Sequence, residues 1–199
     1  MFYGNKSNLL QYATKLLQGK VNILKNDAGL CLIGNKDYQY QPAPFTALLA
    51  CFSLLDFLSA LYNGNASHSA TITNNFKTLL REYFSYSDDQ GELILSIYRH
   101  KLVHLFQPGT VIEYKGHTYS WRIHNSEPSM HLKIWSNKGS LINPASCIRI
   151  KLEYVFSISI RDLIEEIVNA ASNYLKDLEV KPELQANFEK ALKQIYCLS

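Results

Sequence analysis

One arginine, two histidines and one lysine fall within the six positions Arg99-His100-Lys101-Leu102-Val103-His104, which follow Tyr98 and precede Leu105-Phe106-Gln107-Pro108-Gly109. No other stretch of the chain concentrates so many groups able to move a proton or hold a phosphate. An imidazole changes charge near neutral pH and serves as general acid or base. A guanidinium holds a phosphate through paired N–H donors, and Lys101 adds a point charge for the same anionic substrate. The histidine pair at i and i+4 also fits a zinc spacing. No carboxylate or third ligand accompanies it, and Arg99 and Lys101 repel a cation, so no metal is expected. A purely structural role is the other reading: Arg99 pairs with Asp56, Glu165 or Glu166, and the histidines complement the negative end of a helix dipole. Asp56 stands amid Leu54, Leu55, Phe57 and Leu58, where a carboxylate is costly unless paired. It either anchors Arg99, orients His104 or occupies an exposed point on its helix.

The elements that must position these groups follow from periodicity. A helix over 6–26 carries Leu9, Leu10, Ala13, Leu16 and Leu17, weakened at Gly19. Leu30-Cys31-Leu32-Ile33 reads as a short strand or loop, followed by a polar, tyrosine-rich connector that ends in Pro42 and Pro44. Residues 45–61 form an apolar helix with a single charge, Asp56, stopped by Asn63-Gly64-Asn65. Thr46, Ser53 and Ser59 interrupt it and no basic cluster flanks it, so it reads as a central helix and not a membrane span. Residues 66–71 read as a loop, and 74–84 as a helix with Phe76, Leu79, Leu80 and Tyr83 on one face. The motif ends a fourth helix over 89–106, capped by Asp88 or Asp89 and closed by Pro108-Gly109. Its apolar stripe is centred on Ile94, Tyr98 and Leu105, which leaves Arg99, His100 and His104 on the opposite arc, facing solvent, a cleft or a partner. Arg99 and His104 lie about 140° apart around a regular helix.

After Pro108 the period changes to alternation. Residues 111–114 and 118–124 flank a tight hairpin at Lys115-Gly116-His117, a third strand covers 130–135, and 148–158 form a long half-buried strand. Tyr114, Tyr119, Trp121 and Trp135, interleaved with Lys115, Arg122 and Lys133, read either as an RNA-stacking surface, with Arg122 holding substrate, or as the packing face of the sheet. Ser159 caps a helix to about 179, with Leu163, Ile167, Ala170, Ala171, Tyr174 and Leu178 inward. Pro182 opens a last helix with Leu184, Phe188, Leu192 and Ile195 inward. The expected architecture is α+β: one domain over 1–199, with a helical bundle from 1–107 and 159–199 and a small antiparallel sheet inserted after the fourth helix, about 110–158.

The 199 residues suit one domain, and charged content of 19% is below the roughly 25% usual for soluble domains. The net charge of +3 is uneven: residues 99–161 hold nine Lys/Arg against three Asp/Glu. That basic middle suits an anionic partner, though solvated sheet edges are also lysine-rich. The four cysteines, Cys31, Cys51, Cys147 and Cys197, form no C-x-x-C pair. They read as reduced core residues of a cytoplasmic protein, there being no apolar run behind the N-terminus to act as a signal peptide.

Arg99-x4-His104, placed near the end of a late bundle helix and within Tyr-Arg-x-x-x-x-His-x-x-x-Pro, resembles the signature of the HEPN superfamily of small helical bundles, many of them RNA-cleaving. The family often has Asn where this chain has His100, and its minimal bundle lacks the 110–158 insert. The resemblance implies a metal-independent endoribonuclease without cofactor, of a toxin–antitoxin or defence system. It also implies a homodimer in which two copies of this helix share the site, with RNA and an antitoxin protein as partners. Arg99 then stabilises the phosphoryl charge, His104 moves the proton of the attacking 2′-OH, and His100 is a second proton carrier or orients the phosphate. A non-catalytic HEPN-like module that binds RNA, a nucleotide or a protein is the alternative.

Overall fold

The computed structural model describes residues 6–33, 42–66, 71–105, 111–137, 139–142 and 149–196, without the side chains of 71–72, 103–105 and 141–142. In the described residues six helices, α1 (Lys6–Ile33), α2 (Pro44–Asn63), α3 (Thr71–Phe84), α4 (residues 88–105), α5 (Ile160–Val180) and α6 (Pro182–Ile195), surround one core. Six short strands lie between α4 and α5. The class is α+β, mostly helical, with a small mixed sheet.

α2 is the centre of the bundle. Pro44 opens it with a preset φ, and it packs against α1, α3, α5 and α6. Its Leu48, Phe52, Leu55, Leu58 and Leu61 are buried. It is long and apolar enough to cross a membrane, yet half of its apolar window is buried inside the protein. Gly64 ends it in the left-handed conformation (φ 65°), its N–H bonded to the Ala60 carbonyl. A Cβ there would lie 2.7 Å from Asn187 Oδ1 and 2.9 Å from Asn187 Cα. The glycine thus serves both the turn and the close approach of α6.

α1 runs beyond the expected boundary. Leu24, Ala28 and Leu32 continue its buried stripe at a spacing of four, so the Leu30–Ile33 run is helix and not strand or loop. Gly19 costs helix propensity without stopping it, since no neighbour approaches its Cβ position. The tyrosine-rich connector, the loop over 67–70 and the Pro108-Gly109 stop lie outside the described residues, and Thr71 already belongs to α3. In α5 all six residues expected inward are buried. In α6 Ala191 replaces Ile195 in the buried set.

The strands are β1 (Ile112–Tyr114), β2 (His117–His124), β3 (Ile134–Ser136), β4 (Ser140–Ile142), β5 (Arg149–Lys151) and β6 (Tyr154–Ser159). The main sheet runs β1-β2-β6-β3, and β4 pairs only with β5. It is not antiparallel throughout: β2 and β6 pair in parallel, from Tyr119 with Tyr154 to His124 with Ser159. The hairpin turn is Lys115-Gly116, both at positive φ (50° and 76°), the requirement of a two-residue type I′ turn. The expected third strand begins as a 3-10 turn, Pro128–Met130. The expected long strand is divided at Leu152-Glu153, and β6 is buried on both faces. Phe156 and Ile158 enter the core. On the other face Ser157 bonds the Met130 and Lys133 carbonyls from the chain that crosses it.

Candidate functional site: the Arg99 face of α4

Asp88 and Asp89 do not cap α4. Ser87 does: its Oγ accepts the Gln90 N–H at 3.2 Å, and Gln90 Oε1 accepts the Ser87 N–H at 2.9 Å, a reciprocal capping box. Asp89 instead binds Lys115 Nζ and the Tyr114 hydroxyl, each at 2.7 Å. That contact clamps the β-hairpin to the first turn of α4.

The helix is α over Asp88–Leu93, π over Ile94–Arg99 and α again over His100–Leu105. At its end the His100 N–H reaches the Leu95 carbonyl, five residues back. The π-turn accommodates one extra residue between two α segments, an arrangement frequent at functional sites. Tyr98 sits within it, fully buried, with its hydroxyl 2.9 Å from the carbonyls of both Arg122 and Phe156. Burial pushes its phenol well above the ordinary range. Tyr98 thereby fixes α4 against β2 and β6, immediately before the motif.

Of the three settings the arc leaves open for Arg99, open solvent is not the one it occupies; its side chain is 12% exposed. Its Nε donates to Asp56 Oδ1 at 2.8 Å and its Nη2 to Asp56 Oδ2 at 2.9 Å, a bidentate fork. The guanidinium lies 5.5 Å from the centroid of the Phe76 ring. Asp56 is thus the anchor of Arg99 and not an isolated charge, and α2, α3 and α4 all contribute to the arrangement.

Arg99 Nη1 lies 3.2 Å from His100 Nδ1. A guanidinium nitrogen can only donate, so Nδ1 accepts and the imidazole carries its proton on Nε2. Three of the five guanidinium N–H groups are then engaged by Asp56 and His100, and two remain. Lys101 is exposed on the following turn. His104 lies on the helical backbone of α4, with its side chain outside the described residues. Arg122 is exposed, and its recorded tie to α4 is its backbone carbonyl at Tyr98. The structure therefore brings Arg99, His100 and Asp56 together, while the side chains of Lys101 and Arg122 point to solvent. Among the described residues no group of three His, Cys, Asp or Glu is placed to hold a metal.

Tyr114, Tyr119 and Trp121 pack against the core. Most of the aromatic set is the packing face of the sheet, not a stacking surface. Glu166, a candidate partner of Arg99, instead accepts from Tyr86 and His131. Phe76 beneath the guanidinium and Tyr98 as the pin of α4 have no chemical signature in the sequence, where both look like ordinary stripe residues.

Comparison of the chain with protein-family models, with curated proteins and with solved structures gives no match.

Proposed function

We propose that the protein is a HEPN-like, metal-independent endoribonuclease that works in the cytoplasm as a homodimer, with an antitoxin or other defence-system partner. The observation that carries this reading is the preset Arg99: Asp56 and Phe76 fix its guanidinium, its Nη1 touches His100, and His104 follows one helical turn after His100. A rigid guanidinium beside an imidazole is suited to a phosphodiester, because its charge needs no reorganisation as negative charge accumulates on the phosphoryl oxygens.

In this chemistry His104 takes the proton of a ribose 2′-OH, whose oxygen attacks the adjacent phosphorus. The P–O5′ bond breaks, the 5′-oxygen takes a proton from water while His104 returns its proton to solvent, and a 2′,3′-cyclic phosphate remains. The two unengaged N–H groups of Arg99 hold a non-bridging oxygen. His100, beside that guanidinium, orients the same phosphate. Lys101 and Arg122 hold flanking phosphates. The wide angle between Arg99 and His104 on one helix is met by a second protomer presenting its own copy across the dimer.

Incubating the purified protein with end-labelled RNA in excess EDTA tests the reading. Products ending in cyclic phosphate, lost in His104→Ala, support it. A specific observation favours the second reading, a non-catalytic module: Asp56 takes two donors of Arg99 and balances its charge, so a phosphate must share the guanidinium. RNA binding without cleavage would select that alternative.

A further inference from the structure

Where the α3–α4 turn, the 128–132 segment and the first turns of α5 meet, a cavity of about 450 Å3 opens, walled by Phe84, Tyr86, His131, Asp162, Glu165 and Glu166. This volume falls within the range of small-molecule sites, about 300–1,000 Å3. Its charge is one-sided. Three carboxylates line it with no lysine or arginine, and among the described residues none of the three is ion-paired to a basic side chain other than His131.

The floor of the cavity is built from buried polar rings. Tyr86 is 5% exposed and the His131 side chain 8%. The Ser159 N–H donates to His131 Nδ1 at 3.1 Å, which places the imidazole proton on Nε2, 3.0 Å from Glu166 Oε2. The Tyr86 hydroxyl donates to the same oxygen. Glu166 is thus aimed by two neutral donors through one oxygen. Phe84 and Tyr86 place their rings 5.4 Å apart on the same wall. Ser85 and Leu132, which flank Tyr86 and His131, both hold φ of 55°.

We propose that this cavity binds a small organic cation through a guanidinium or primary ammonium head. Carboxylates without a lysine or arginine partner, beside the half-buried Phe84 ring, are complementary to such a head by charge-assisted hydrogen bonds and, at that ring, cation–π attraction. An anion is repelled. A hard divalent ion needs several converging oxygen ligands, and no metal-holding group of three exists among the described residues. The site is separate from the Arg99 face and does not depend on RNA cleavage.

Calorimetric titration of the intact protein with agmatine tests the proposal, with blocked arginine (Nα-acetyl-arginine amide) and butylurea in parallel arms. Saturable agmatine binding is expected, weakened about tenfold or more by Glu166→Gln, with butylurea not binding. Agmatine binding more tightly than blocked arginine identifies a free amine as the source of the head; the reverse order identifies a protein side chain. Absence of saturable agmatine binding at millimolar concentration overturns the proposal, as does butylurea binding equally well. Should Glu166→Gln fail to fold, the exposed Glu165→Gln decides: a several-fold loss supports the site, and unchanged affinity overturns it.

Discussion

Truncating Asp56 leaves a largely buried guanidinium without its counter-charge over an aromatic ring, and that is the most expensive single change expected around the motif. Asp56→Ala should cost on the order of 2 kcal/mol in urea unfolding, below the figure for a fully buried pair because the Asp56 side chain is 30% exposed. The Asp56→Ala/Arg99→Ala double variant should cost clearly less than the sum of the singles; additive costs would mean that the pair is not coupled. A second pair sets the acid limit. Lys181 first, and then the Tyr83 hydroxyl, hold the Asp177 carboxyl below its ordinary value. A depressed folded pKa means that this contribution is complete above the ordinary aspartate range, about 3.9, and is lost as pH falls through the lower folded value. The urea midpoint of Asp177→Asn should therefore fall less steeply below pH 4 than that of the wild type; parallel curves would contradict this. The Asp56–Arg99 pair was legible because a carboxylate inside an apolar run must find a partner, and Arg99 was one of few candidates. The bonds of Glu166 were not, since Tyr86 and His131 lie 80 and 35 residues away and no spacing rule connects them.

At the level of elements, the tightest constraint is where α2 ends. Gly64→Ala should destabilise by about 2–3 kcal/mol, from left-handed backbone strain together with the clash against α6. Asn187→Ala should not restore stability, because the clash includes the Asn187 Cα; full rescue in chemical denaturation would show that only the side chain matters. The π-turn makes the opposite kind of prediction. Deleting Ser96 removes the extra residue and converts the turn to α, with the faces before and after it preserved. Deleting Lys101 from the α segment rotates Leu102 and all that follows by about 100°. Circular dichroism and melting should show a folded protein for the first deletion and a strongly destabilised one for the second. The helices were legible because 3.6-residue periodicity is written into their buried stripes, as in Leu163 through Leu178. The π-turn was not, because it alters hydrogen bonding and leaves composition unchanged. Nor was the parallel pairing of β2 with β6: alternation specifies which face is buried, not strand direction. The burial of β6 on both faces needed the covering chain, which only the tertiary structure supplies.

Across the whole molecule, the helical bundle and the β insert meet at α4. The hairpin clamps its start through Asp89 and Lys115, Tyr98 pins its middle to β2 and β6, and α2 holds Arg99 near its end. The insert therefore acts as a brace for the helix that carries the motif, and the basic segment 99–161 begins within that helix. Whether this preset Arg99 serves catalysis is tested most directly by RNA cleavage in excess EDTA, comparing wild type with His104→Ala and Asp56→Asn at matched folded concentration. The account predicts cyclic-phosphate products from the wild type, a loss of at least about 100-fold in His104→Ala, and a smaller loss in Asp56→Asn. Cleavage that persists undiminished in His104→Ala, or a folded wild type that yields no cyclic-phosphate product, would contradict it.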